Sequence, residues 1–387
     1  MKIVLVIDQF DDANNGTTIS ARRFARALAA HGNQVRVIAC GHPTDYKYAV
    51  RQLKFTPVVD HLISSQGMRF AMPSRHAFEK AAAWADVVHF MMPSPLAIMG
   101  LRHVRKLGIP HTAAFHCQPE NITYTLKMGN SKRVNDFVYN RFRDTFFNKF
   151  THIHCPSNMI ANQLSDHGYT AKLHVISNGI SPNFVYQKRD KEDWMAGKFN
   201  IIMVGRYAGE KRQDLLLEAC AKAKHADQIQ LILAGKGPLE KKYRKMAEKL
   251  QNPIVMDFYS QERLIEVLAM SDLYVHTSDA EIEAMSCMEA FASGLVPIIA
   301  NSERSATPQF ALTQRSLFEA GNSDSLAEQI DWWIDHEEER KAMEVHYAEH
   351  AKQYTLEESI RHTEEMFQTA IREHTGKALP TGNYSEE

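Results

Sequence analysis

One pattern runs twice through this chain. A short apolar run (Lys2-Ile3-Val4-Leu5-Val6-Ile7) opens it, and a second (Phe199-Asn200-Ile201-Ile202-Met203-Val204) restarts it. Each is followed by a polar, glycine-containing loop and a helical period. Continuous apolar runs of this length suit strands buried on both faces, as in a parallel sheet. Strands alternating with helices imply βαβ units. The chain therefore reads as two α/β halves, and its 387 residues suit two domains better than one core.

In the first half, residues 2–7 read as a strand and Asp11 to Thr18 as a polar loop. A helix is expected from about Thr18 to His31, with Phe24, Ala27 and Leu28 as its apolar stripe, and a second strand from Gln34 to Ala39. Gly16 lies just before that helix, where a backbone can approach a phosphate closely; the plain alternative is a flexible turn. The GxGxxG dinucleotide pattern is absent. Further strands are expected at 86–90, 111–115, 151–155 and 172–176. His116 stands at the carboxyl end of one of them, the edge where ligands of open α/β sheets gather. Cys117 beside it points to the opposite strand face, which disfavours a Cys–His nucleophile. His152 and His154 share a face but lack a third ligand, so no metal site is read there.

Residues 131–150 read as one amphipathic helix. It carries Lys132, Arg133, Arg141, Arg143 and Lys149 against Asp136 and Asp144, interleaved with Phe137, Tyr139, Phe142, Phe146, Phe147 and Phe150. Such a helix suits an anionic membrane surface through Lys132, Arg133, Arg141, Arg143, Phe142 and Phe146, or else packs its aromatics on a core. Residues 181–198 are polar without a period and read as a linker. Leu356 to Glu373 reads as an amphipathic helix and residues 376–387 as a disordered tail.

In the second half, Arg206 and Lys211 follow a strand end, near enough for both cations to reach one phosphate pair. Gly235-Lys236-Gly237-Pro238 follows the next strand. The run DAEIEAMSCMEAFASG (279–294) then holds Glu281 and Glu289, eight positions apart, after the strand Leu273–His276. A helix starting near Met285 puts Glu281 in the loop and Glu289 about one turn in, with free amides facing the space beside Glu281. Taken alone, these are equally two surface glutamates. Together with the basic loops they form an anion site flanked by acids, which fits a sugar nucleotide.

Composition narrows the class. Net charge is −1, which gives no sign of nucleic-acid binding. The five cysteines are scattered without a CxxC pair and read as reduced thiols in the cytosol. The first apolar run is too short for a signal peptide, and no run reaches the ~20 residues of a membrane span. The expected location is cytoplasmic, with any membrane contact peripheral, on the inner face.

The loop with Gly16, His116, Asn178-Gly179, Gly205-Arg206 with Lys211, Gly235-Lys236-Gly237-Pro238 and the Glu281/Glu289 spacing together resemble the retaining glycosyltransferases of family 4. That resemblance covers nearly the whole chain. It implies the GT-B fold: an α/β protein with two Rossmann-like domains facing across a cleft that closes on both substrates. Residues 1–180 would bind the acceptor and 181–355 the nucleotide sugar, with a helix at about 356–374 packing back on the first. It also implies roles. Arg206 and Lys211 neutralise the donor diphosphate, Glu289 binds the ribose, Glu281 binds the sugar hydroxyls, and His116 lies by the sugar and contributes to catalysis. Two departures stand out. Glu283 and Ala284 occupy positions where the family usually has Phe-Gly, and Asn15 precedes Gly16 where two glycines are usual. The amides of Ala284, Met285 and Ser286 remain able to meet phosphate.

Within the family, the run from Glu281 to Gly294, Asn301-Ser302, Gln309-Phe310-Ala311-Leu312 and His116-Cys117-Gln118-Pro119-Glu120-Asn121 look like bacterial enzymes that add glucose or galactose to diacylglycerol. The expected reaction is retaining transfer of a hexose, glucose first, from a UDP-sugar to a hydroxyl, without a cofactor or metal. The alternatives are a soluble sugar acceptor, a sugar-nucleotide epimerase on the same fold, and a catalytically inactive membrane scaffold.

Overall fold

The computed structural model describes residues 1–11, 16–65, 67–126 and 128–376. They form two compact units. The first unit comprises Met1–Cys117, Asp136–Ile176 and the stretch beginning at Ser359; the second comprises Gln118–Asn135 and Ser177–Glu358.

The first unit holds a seven-stranded sheet: β1 (Lys2–Gln9), β2 (Gln34–Cys40), β3 (Lys47–Val50), β4 (Val87–Phe90), β5 (His111–Ala114), β6 (His152–Cys155) and β7 (Lys172–Val175). Their order is β3-β2-β1-β4-β5-β6-β7, every pair parallel. Leu5 sits between Val37 and His89 in the register. Ile3 through Ile7 are buried, as an apolar run covered on both faces must be. The order reverses between β1 and β4, so the carboxyl ends of these two strands frame the crevice where such sheets bind ligands.

The second unit repeats the plan with β8 (Phe199–Val204), β9 (Ile229–Ala234), β10 (Val255–Asp257), β11 (Leu273–His276), β12 (Pro297–Asn301) and β13 (Leu317–Glu319). The order is β10-β9-β8-β11-β12-β13, again parallel, reversing between β8 and β11.

Several expectations need correction. The first helix begins at Gly16, not Thr18, so Gly16 is its first residue rather than a turn before it. Residues 181–198 are not a free linker: Phe184 and Met195 are buried in the core of the second unit. The stretch 131–150 is a helix only over Lys132–Thr145, followed by a 3-10 turn at Phe147–Lys149. Phe146 is fully buried between Phe90, Phe147 and Phe150, with ring centroids 6.0, 5.0 and 4.9 Å away, so it belongs to the core and not to a membrane-facing surface. The expected disordered tail, beyond Gly376, and Asn15 lie outside the described residues.

Residues 118–135 lie in the second unit by side-chain bonds. Gln118 Nε2 donates to the Arg304 carbonyl at 2.9 Å, and the Tyr124 hydroxyl donates to Asp279 at 2.8 Å. The helix Leu356–Thr375 buries Ile360, Met366, Phe367 and Ile371, and Glu373 reaches His152 Nε2 at 2.9 Å.

Candidate active site

The loop after β8 begins with Gly205, whose amide donates to the Ala234 carbonyl at 3.0 Å. Two residues on, the Tyr207 amide donates to Lys236 O at 3.1 Å. The loops after β8 and β9 are thus packed backbone on backbone. A Cβ at Gly237 would lie 2.5 Å from Tyr207 O, and one at Gly235 would lie 2.0 Å from Gly205 O. Glycine is required at both positions by this approach.

Arg206 and Lys211 project from the first of these loops. Arg206 Nη2 donates to Glu210 at 2.9 Å. Lys211 Nζ donates to Glu281 Oε1 in a close ion pair. The pair spans the reversal point of the sheet, since Lys211 follows β8 and Glu281 follows β11. Thr277 Oγ1 fixes the Lys211 carbonyl at 2.7 Å, and the Asp279 amide donates to Glu210 O at 2.8 Å. Asp279 in turn accepts from Arg212 Nη1 at 3.2 Å.

Glu281 is 8% exposed. Burial alone would raise its carboxyl, but Lys211, with His276 beside it, holds it down at about 2. His276 Nε2 lies 3.2 Å from the same Glu281 oxygen. Its Nδ1 is 3.1 Å from the Tyr274 hydroxyl, which donates to Ser286 Oγ at 3.1 Å. A polar chain therefore runs Lys211–Glu281–His276–Tyr274–Ser286. His276 and Tyr274 were missed as site residues by the sequence reading. Their spacing of two on a strand puts both on one face, but spacing alone does not say that this face meets Glu281 and Ser286.

The helix Met285–Ala292 starts where expected. Ala284 caps it in the left-handed region, at φ 66° and ψ 68°. This is the position where the family pattern has glycine, and the dihedral explains that preference: an L-residue pays ~1–2 kcal/mol there. The turn aims the first amides of the helix, at Ala284, Met285 and Ser286, away from the helix body. Glu289 lies buried on the same helix. Ser302 Oγ donates to Asp279 O at 2.6 Å, and the Ala306 amide donates to Glu281 O at 2.9 Å, so the segment around Asn301-Ser302 braces the Glu281 loop.

In the first unit, His116 is buried just beyond β5, with neither ring nitrogen hydrogen-bonded among the described residues. The His154 ring stands edge-on to it, centroids 5.2 Å apart. Burial, with His154 and His89 nearby, pushes the His116 pKa well below its ordinary value, so the ring is neutral. A neutral imidazole offers one N–H donor and one lone pair. Among the described residues, chain neighbours and the helix's own backbone aside, no atom lies within 4 Å of where a Gly16 Cβ would stand. On the helix Lys132–Thr145, Lys132, Arg133 and Arg141 are exposed and Phe142 is half-buried. Arg143 is bound to Asp144 at 2.7 Å and to the His167 carbonyl at 2.7 Å. Phe137, 67% exposed, is the large apolar side chain on this surface.

Two family models match the chain: glycosyltransferase family 4 over residues 14–184 and glycosyl transferases group 1 over 186–353. The chain is 24% identical over 320 residues to an alpha-monoglucosyldiacylglycerol synthase of Streptococcus pneumoniae, covering 78% of this chain and 71% of that protein. It is 23% identical over 322 residues to a GDP-mannose-dependent alpha-mannosyltransferase of Mycobacterium tuberculosis, covering 78% and 79%. Among solved structures, Anabaena HepE in complex with UDP and glucose superposes with a TM-score of 0.72 at 15% identity, covering 95% of this chain and 100% of that one. The catalytic domain of cholesterol-alpha-glucosyltransferase from Helicobacter pylori is 47% identical over 41% of this chain and 99% of its own, with a TM-score of 0.40, a superposition too partial to argue from.

Two parallel sheets, each reversing at its ligand edge, with a Lys–Glu pair and a helix start at one of them, are the architecture of a GT-B enzyme. The chain belongs to the family 4 glycosyltransferases.

Proposed function

We propose that this enzyme moves a hexose, glucose, from a UDP-sugar to the hydroxyl of a membrane lipid, diacylglycerol or a glycolipid, with retention of the anomer. The observation that carries this reading is the Lys211–Glu281 pair beside the start of the helix Met285–Ala292. It sets a cation, an ionised acid and the first amides of a helix around one point of the sheet edge. The relative from S. pneumoniae, whose name makes it a glucosyl-diacylglycerol synthase, supports the sugar and the lipid.

In this mechanism the donor diphosphate lies on Arg206, Lys211 and the amides of Ala284, Met285 and Ser286, with Gly16 and Gly237 admitting close backbone approach. As the anomeric C–O bond breaks, charge grows on the leaving diphosphate. Prearranged cations and amides stabilise that charge more than the ground state. Glu281, kept ionised, accepts sugar hydroxyls, and Glu289 accepts the ribose hydroxyls. His116 serves as a neutral hydrogen-bonding group at the sugar, since burial disfavours an imidazolium. The acceptor oxygen bonds to the anomeric carbon and its proton passes to the leaving phosphate. No metal or cofactor takes part. Among the described residues no helix is long and apolar enough to cross a membrane, and none of their His, Cys, Asp and Glu cluster as metal ligands. Membrane contact is assigned to the cytoplasmic face through Lys132, Arg133 and Arg141, with Phe137 beside them.

The test is UDP release from UDP-glucose in EDTA, with and without diacylglycerol in anionic mixed micelles. Lipid-dependent release is expected. Release indifferent to lipid points to a soluble acceptor or hydrolysis, and isomerised donor without acceptor points to an epimerase.

A further inference from the structure

Asp8 lies near the carboxyl end of β1, at the point where the first sheet reverses between β1 and β4. It is 2% exposed, an unusual depth for an acid without a basic partner. Its Oδ1 accepts from the Ala71 amide at 2.8 Å, and the Ser94 hydroxyl lies against the carboxyl. Its Oδ2 is buried and has no hydrogen-bond partner among the described residues. A purely structural role, holding the chain at Ala71, uses one oxygen and would be met by asparagine. Leaving the second oxygen of a buried carboxyl unsatisfied costs ~1–3 kcal/mol, which calls for a group that satisfies it.

Asp8 lines a small cavity together with the apolar Ile7, Met68 and Met92 and the polar Gln9, Thr17, Thr18 and Arg69. The cavity measures about 10 Å³, room for one water-sized group such as a hydroxyl. The chain after β3 also carries exposed apolar side chains: Phe55 at 40%, Val59 at 40% and, just past Ala71, Met72 at 44%. Phe55 packs edge-on against Phe70, centroids 6.1 Å apart. The charged and titratable groups nearby are Arg69, Cys40 on β2, and Asp11, which is bound to Lys47 of β3 at 2.6 Å.

We propose that Asp8 Oδ2 accepts the hydroxyl of an amphiphilic alcohol, and that the adjoining hydrocarbon of this acceptor runs over Met68 and Met92 toward the exposed Phe55, Val59 and Met72. This rests on the glycosyl-transfer reading for the use of the bound alcohol, and not for its binding. It gives the first unit a site that reads one hydroxyl at the head of an apolar body.

The experiment compares the full-length wild type with Asp8→Asn. Binding of 1,2-dioctanoylglycerol and of its 3-O-methyl ether is measured by tryptophan fluorescence in mixed micelles, beside UDP binding and the KM for dioctanoylglycerol. Asp8→Asn should weaken dioctanoylglycerol at least tenfold in both binding and KM, with UDP affinity and melting temperature as in the wild type. The methyl ether, which has no proton to give, should bind the wild type at least tenfold more weakly than the alcohol. This second arm needs no variant to fold. Equal binding of alcohol and ether by the wild type overturns the proposal, as does a folded Asp8→Asn protein with unchanged acceptor affinity. If the wild type transfers sugar to no lipid, the transfer reading fails while the binding comparison still decides this one.

Discussion

Asn178 gives both its backbone amide and its side-chain amide to one oxygen of Glu283, at 2.8 and 2.6 Å. The contact ties the turn Ser177-Asn178-Gly179 to the loop that carries Glu281. Burial pushes the Glu283 carboxyl up to about 7 from an ordinary 4.5. The folded protein thus holds this proton more tightly than the unfolded chain. The resulting stabilisation is full below about pH 4.5 and is lost as pH rises through about 7. Glu283→Gln removes that slope. Melting temperatures of the variant should change less between about pH 5 and about pH 8 than those of the wild type, and parallel curves would show that Glu283 does not titrate there.

Removing the Lys211 cation strips charge from the leaving diphosphate and leaves Glu281 buried without its main partner. Lys211→Ala should lower turnover by about 100-fold or more, judged by UDP release. Glu281, released from about 2, should also titrate higher, moving the acid limb of the rate profile upward. An unchanged rate would sink the site assignment.

Ala284 holds a left-handed dihedral that costs an L-residue ~1–2 kcal/mol, part of which glycine gives back in the unfolded chain. Ala284→Gly should therefore raise the midpoint of urea unfolding slightly, by up to ~1 kcal/mol, and leave UDP binding intact. Ala284→Val, branched at Cβ, should lower it. A stabilising valine would contradict the dihedral.

Arg133 and Arg141 are exposed on the helix Lys132–Thr145, with Phe137 between them on the same side. Each basic residue near an anionic surface contributes ~1 kcal/mol. Arg133→Glu with Arg141→Glu should release the protein from phosphatidylglycerol vesicles in a sedimentation assay. Sedimentation equal to the wild type would remove this helix from the membrane reading.

Asp8 is raised to about 6 by burial, so its carboxylate form is lost below that pH. The KM for a lipid alcohol should climb as pH falls through about 6 in the wild type. It should stay flat over the same range in Asp8→Asn. Arg69, Asp11, Lys47 and Cys40 are common to both proteins, so a slope present in both would assign the titration elsewhere.

The sequence carried the donor side well, and the reasons are local. A strand, a loop acid and a small-residue helix stand in one run, so the start at Met285 follows from period and spacing. The cations after β8 follow a strand end that any buried apolar run reveals. Asp8, His276 and Tyr274 escaped because each sits inside or at the end of a strand run, where identity gives no hint of which neighbours the fold supplies. Asp8 reads as the polar stop of a strand until Ala71, far along the chain, donates to it. Phe146 was misassigned for a related reason. Aromatic periodicity marks a sticky face, but only the packing of Phe90 and Phe150 decides that the face is core. The stretch 181–198 lacks period because it is irregular, yet irregular backbone can still bury Phe184 and Met195.

The helix Leu356–Thr375 closes the core of the first unit. Phe367 packs on His89 of β4 with centroids 5.1 Å apart, and Glu364 takes His31 Nδ1 at 3.3 Å. During synthesis, the first sheet therefore emerges long before the helix that seals it. The second unit, continuous from Ser177 to Glu358 apart from one early segment, is available in full before that seal arrives. The domain begun first on the ribosome is thus the one finished last. Its strand faces must wait through nearly the whole of translation for the helix that covers them.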